Sequence, residues 1–163
     1  MSRSEPETAG VFAPPPLIAL ATLILGLSLD WVFPVYVLTV LLDRDTRWIV
    51  AAILLVIGGV LGFSAIFGFR RARTHVEPWK PALELVTGGI YRYLRNPMYV
   101  GLAFLVAAVA IALASDWTLV LMVPAAFLMH YGVVKREEHY LAARFGEAYR
   151  AYMERVPRYG WPG

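Results

Sequence analysis

The 22 residues from Trp48 to Phe69 carry no charged side chain. An α-helix rises 1.5 Å per residue, and about 20 apolar residues cross a hydrocarbon core of roughly 30 Å. Backbone groups in lipid must be satisfied within their own segment, so this run predicts a transmembrane helix. The rest of the 163-residue chain agrees, being 59% hydrophobic and only 17% charged, where a soluble domain averages about 25% charged. The length fits a single domain. Gly58 and Gly62 form a GxxxG, with Ser64 and Gly68 repeating the small-residue spacing, and predict close packing against a neighbouring helix.

Three further spans follow the same logic, giving an all-α polytopic membrane protein with about four transmembrane helices. Leu17 to Leu29 alone reaches only ~20 Å, so the first helix must run through Asp30 to about Phe33, where Pro34 ends it. Asp30, Trp31 and Tyr36 then fall near an interface, and a buried functional Asp30 is the alternative. Pro97–Ala114 and Trp117–Val134 are separated only by Ser115 and Asp116 and predict an antiparallel hairpin, with one of those two residues capping its second arm. The helical pattern continues past Val134 through KREEHYLAARF to a C-cap at Gly146. A last helix, Glu147 to about Val156, stops before Pro157; its basic and aromatic residues, Tyr149 and Tyr152 among them, suit the headgroup layer. Read as one unit, the chain comprises a polar tail (1–13), two membrane helices (14–69), a connection (70–96), the hairpin (97–134) and a C-terminal helical region (135–163).

Thirteen of the 15 lysines and arginines fall in the tail, the 70–96 connection and the C-terminal region. The positive-inside rule makes that side cytosolic, with both termini on it. A pI near 9.3 here reflects anionic headgroups rather than nucleic acid, because the basic residues border apolar spans. There is no cysteine, so disulfides, thiolate metal sites and a cysteine nucleophile are excluded, and no metal site is expected. The first apolar stretch lacks a run of small residues for signal-peptidase cleavage and reads as a retained anchor.

Two polar clusters remain for chemistry. TGGIYRYLRNPMYVG, Thr87 to Gly101, holds two arginines and three tyrosines. Within it Asn96-Pro97 predicts a helix start, with Asn96 as N-cap and Pro97 at the first helical position. The exposed N–H groups of that start, beside Arg92 and Arg95, suit an anion such as a carboxylate. The second cluster is Glu137-Glu138, just past the fourth span. Adjacent helical residues point ~100° apart, which predicts that at most one of the pair faces a given pocket. A solvated charge patch is the plain alternative. Seven-residue spacing aligns Glu137 with His130 and Glu138 with Tyr131. His130 is either functional, as an ionisable group within a span, or bonded to a neighbouring helix.

WKPALELVTGGIYRYLRNPMYVG, followed about 35 residues later by KREEHYLAARFGEAYRAYMERVPR, resembles the C-terminal half of the isoprenylcysteine carboxyl methyltransferase and phospholipid methyltransferase superfamily, in a bacterial-type form. The family pattern is G-P-Y-R-x-x-R-H/N-P-x-Y-x-G, a hairpin, then E-E-x-x-L-x-x-x-F-G-x-x-Y-x-x-Y. Ile90 departs from it where Pro is usual, and Asn96 replaces the His most common in the carboxyl methyltransferases. The resemblance implies S-adenosyl-L-methionine as methyl donor. It points to Arg95, Asn96 and Glu138 as catalytic residues and to Tyr91, Arg92, Arg95, Asn96, Pro97, Tyr99, Gly101, His130, Glu137 and Glu138 as the donor-binding set. It also implies a lipophilic or lipid acceptor reached from the bilayer, and a bacterial inner (cytoplasmic) membrane location. Two other readings stay open: an intramembrane reductase using NADPH, and a non-catalytic packing subunit.

Overall fold

The computed structural model describes residues 8–160. Among these the chain is helical with no strand. Three helices are long and apolar enough to cross a membrane: Pro15–Val32 (α1), Arg44–Arg71 (α3) and the continuous Asp116–Phe145. A shorter apolar helix, Pro97–Ala112 (α4), completes the bundle. The Asp116–Phe145 helix comprises Asp116–Met129 (α5), a wide π-helical turn over His130–Val134, and Lys135–Phe145 (α6). Glu147–Arg155 (α7) follows directly, and a short helix, Val37–Leu41 (α2), lies between α1 and α3.

α1 runs through Asp30 and stops at Val32, two residues before Pro34. The Asp30 carboxylate accepts hydrogen bonds from the Ser115 hydroxyl and the Trp117 amide, so it ties the end of α1 to the hairpin turn. Ser115 is the residue that caps α5, accepting from the Thr118 amide at 3.2 Å. Asp116 instead accepts from the Leu38 amide at 3.1 Å and anchors the 33–43 crossing. Residues 8–13 of the polar tail lie on the π-helical turn. The Phe12 amide donates to the Gly132 carbonyl at 2.9 Å, and Arg136 donates to the Gly10 carbonyl at 2.7 Å.

The hairpin exists, but its two arms are not each other's main neighbours: α4 packs chiefly on α3, and α5 on α1. Glycines explain both pairings. A Cβ on Gly58 would lie 2.8 Å from the Gly101 carbonyl oxygen, and one on Gly101 would lie 2.9 Å from that of Gly58 and 3.1 Å from the Gly62 nitrogen. The GxxxG therefore serves backbone-to-backbone approach between α3 and α4. A Cβ on Gly26 would clash with Thr118, which sets the α1–α5 approach.

α7 departs from expectation. Tyr149 and Tyr152 are buried and pack with Val156 against Leu85, Leu141 and Phe145. Gly146, at φ +55, reverses the chain so that α7 folds back on α6. Apolar burial against the protein wins over contact with headgroups.

Gly101→Val is expected to lower the Tm of the detergent-solubilised protein by several degrees, because overpacking a close contact costs about 1–3 kcal/mol. Gly59→Ala, where an added Cβ meets nothing within 4 Å, is expected to leave Tm unchanged or raise it slightly. Differential scanning fluorimetry of both variants checks the pair.

Candidate active site

The connection after α3 does more than link helices. Thr74, buried, accepts from the amides of Leu83 at 2.9 Å and Glu84 at 3.3 Å, closing residues 74–84 into a loop. The Ala82 amide donates to the Tyr140 hydroxyl of α6 at 3.0 Å. A 3₁₀ turn, Gly89–Arg92, then carries Tyr91 under α3, its ring edge-on to Phe69 with centroids 5.4 Å apart. Tyr152 of α7 donates to the Tyr91 carbonyl at 2.6 Å.

Loop, α4 start, α6 and α7 thus surround one cleft, with a cavity volume of about 110 Å³. Tyr91, Arg95, Asn96, Tyr99, Glu137 and Glu138 from the expected set all line it. Arg92 is exposed, and it and Pro97, Gly101 and His130 are not among the lining residues. Pro97 is buried as the first residue of α4, and Gly101 is spent on the contact with Gly58. His130 Nδ1 lies 2.9 Å from the Tyr159 hydroxyl.

Both glutamates of the pair face the cleft, against the expectation that at most one would. The cleft wraps around α6 widely enough for neighbouring positions to reach it, so neither forms a solvated patch. Nor does the seven-residue alignment hold: Tyr131 is exposed while Glu138 is buried, because the π-helical turn between them shifts the register.

Asn96 stands at the N-cap position of α4 without a side-chain cap hydrogen bond. Its amide group donates instead to the Arg158 carbonyl at 3.3 Å, and the Arg95 amide donates to the Pro157 carbonyl at 2.9 Å. The segment after α7 is thereby strapped across the start of α4.

The charges converge on Glu138, which is 9% exposed. Arg158 engages both its oxygens, Nε to Oε1 at 2.9 Å and Nη2 to Oε2 at 2.6 Å. Arg95 Nη1 also lies 2.9 Å from Oε1, but its N–H does not point at that oxygen. Among the described residues, Arg95 Nε and Nη1 are buried without a hydrogen-bond partner. Nearby, Tyr99 donates to Glu137 at 2.6 Å. Outside the spans, burial pushes Tyr91, Tyr149 and Tyr152 well above the ordinary phenol range, so they are neutral aromatic walls. Hydrogen bonding to Glu138 raises Arg158.

Arg158, Tyr140 and the Tyr149/Tyr152 pair were not among the expected site residues. A signal for the last was present, since tyrosines three apart share one helix face.

A family profile described as phospholipid methyltransferase matches residues 46–148, more than half the chain. The chain belongs to the phospholipid methyltransferase family. Two curated relatives are similar to it. Protein-S-isoprenylcysteine O-methyltransferase B of Arabidopsis thaliana is 27% identical over 106 residues, 64% of this chain and 54% of that protein. Protein-S-isoprenylcysteine O-methyltransferase of Schizosaccharomyces pombe is 30% identical over 95 residues, 58% of this chain and 37% of that protein. The chain therefore spans about half or less of the length of these relatives. No solved structure matches it. The family match covers α3, the loop, α4 and α5 through the start of α7, and so takes in the cleft lining from Phe69 to Leu141 but not Tyr149 and Tyr152.

Tyr152→Phe is expected to destabilise this phospholipid methyltransferase family member by about 1–2 kcal/mol, since it leaves the buried Tyr91 carbonyl unsatisfied. Tyr93→Phe, at an exposed position, is expected to change nothing measurable. Chemical unfolding in mild detergent, followed by tryptophan fluorescence, compares the two.

Proposed function

We propose that the protein is an S-adenosylmethionine-dependent methyltransferase acting on a lipophilic or amphipathic acceptor at the cytosolic face of a bacterial inner membrane. The observation that carries this reading is Arg95, buried at the cleft with no hydrogen bond to Nε or Nη1, although Nη1 lies 2.9 Å from Glu138. A buried unsatisfied donor costs about 1–3 kcal/mol, and more when charged, so the position calls for an anionic ligand group. The methionine carboxylate of the donor fits it, next to the uncapped amides at the start of α4.

The other walls suit the remaining parts. Glu137 has carboxylate acceptor capacity beyond its bond to Tyr99 and suits ribose hydroxyls. The tyrosine faces suit a sulfonium cation. Glu138 holds two arginines, so its part is to organise cations rather than to bind ribose. When bound, S-adenosylmethionine supplies an electrophilic methyl group on a good leaving group. This chain's own contribution is to orient donor and acceptor in line and to exclude water from the reacting atoms.

The family membership and the names of the two relatives support methyl transfer. The apolar helices around the cleft support an acceptor that arrives through the bilayer. The concentration of basic residues at the cleft end of the bundle supports the cytosolic orientation.

Purified protein is expected to transfer label from methyl-labelled S-adenosylmethionine to a component of a bacterial membrane lipid extract. Arg95→Ala is expected to abolish labelling and to weaken S-adenosylhomocysteine binding at least tenfold, the scale of one charge-assisted hydrogen bond, while Tm stays within a few degrees of wild type. No labelled lipid from any extract, or undiminished binding by the variant, would contradict the proposal.

A further inference from the structure

Arg158 is the second arginine on Glu138, and the geometry gives it the larger share. It holds the carboxylate bidentately, at 2.9 and 2.6 Å, whereas Arg95 has one 2.9 Å contact whose N–H is misdirected. Arg158 is also fixed in place. Its segment is tied to the start of α4 by the Arg95 amide and the Asn96 side chain, and to the π-helical turn by Tyr159 and His130. Burial raises Tyr159 above the ordinary phenol range, so that hydroxyl stays neutral.

Two arginines against one carboxylate leave a surplus of one positive charge. Glu138 gives both oxygens to the Arg158 fork, so it cannot turn both onto Arg95 and draw that guanidinium out of the cleft. Without Arg158, an Arg95–Glu138 pair would be neutral and fork-to-fork, the geometry arginine and carboxylate prefer. Arg95 would then have little left for a ligand.

We infer that Arg158 is a positioning residue: by occupying Glu138 it keeps the Arg95 guanidinium at the cleft from pairing fork-to-fork with that carboxylate, and so sets the site's selectivity for a donor that carries a carboxylate. This rests on the proposed donor site. Arg158 itself need not touch the donor, and a purely structural role for it would affect all nucleoside ligands alike.

The test compares S-adenosylhomocysteine with its decarboxylated analogue, which keeps the nucleoside, thioether and amine. Calorimetric titrations use the full-length protein in nanodiscs. Arg158→Gln is expected to weaken S-adenosylhomocysteine binding by about ten- to a hundredfold, the scale of one charge-assisted hydrogen bond, and to change binding of the analogue less than about threefold. Arg158→Lys, which keeps the charge but not the fork, is expected to show the same selective loss at smaller size, and it decides the matter if the Gln variant does not fold. Equal losses for both ligands in the folded variant, or no loss for either, would overturn the inference while leaving the donor site standing. Wild-type protein that binds neither ligand would overturn both.

Discussion

One buried carboxylate organises the cleft end of this molecule. Glu138 is reached by Arg95 from the start of α4 and by Arg158 from the segment after α7, so a single side chain joins three parts of the chain that are distant in sequence. Removing the acid would leave the buried Arg95 without its counter-ion and free the half-buried Arg158, which is destabilising. The carboxylate is therefore a structural constraint before it is a chemical one. Its chemical consequence follows from the unequal division: Arg158 takes the good geometry, and Arg95 is left buried with donors to spare.

The opposite end of the bundle is built on the same principle without the surplus. Asp30 receives Ser115 and Trp117, and Asp116 receives Leu38, so these carboxylates accept neutral donors and pin helix ends. Between the two ends, side chains give way to backbone contact. Gly58 against Gly101 and Gly26 against Thr118 bring the helices close enough for the loop, α6 and α7 to close around the α4 start. Helix packing in the span thus sets the width of the cleft at its edge.

Much of the fold was legible in the sequence because the physics is local. Span length, the Pro34 stop, a cap at Ser115 or Asp116 and the helix end at Gly146 each depend on a few consecutive residues and on the dimensions of a bilayer. What was not legible depended on contacts between distant segments. The side chain of Asn96 looks like an N-cap, yet it serves the Arg158 carbonyl; nothing near Asn96 announces the returning strap. The π-helical turn at His130–Val134 leaves no clear mark in the pattern, and it alone undoes the seven-residue alignment. α7 looks like a headgroup helix by composition, but Gly146 directs its tyrosines inward. Of the site, the Arg95 and Glu137–Glu138 clusters were visible as polar residues interrupting apolar runs, while Arg158 was one of many basic residues in a basic tail.

A structure of the protein with S-adenosylhomocysteine bound, in nanodiscs, tests the central claim most directly. The account predicts the amino-acid carboxylate of the ligand on Arg95 Nε and Nη1, with Arg158 still forked on Glu138. A nucleoside bound outside this cleft, or a ligand carboxylate resting elsewhere while Arg95 stays turned to Glu138, would contradict it.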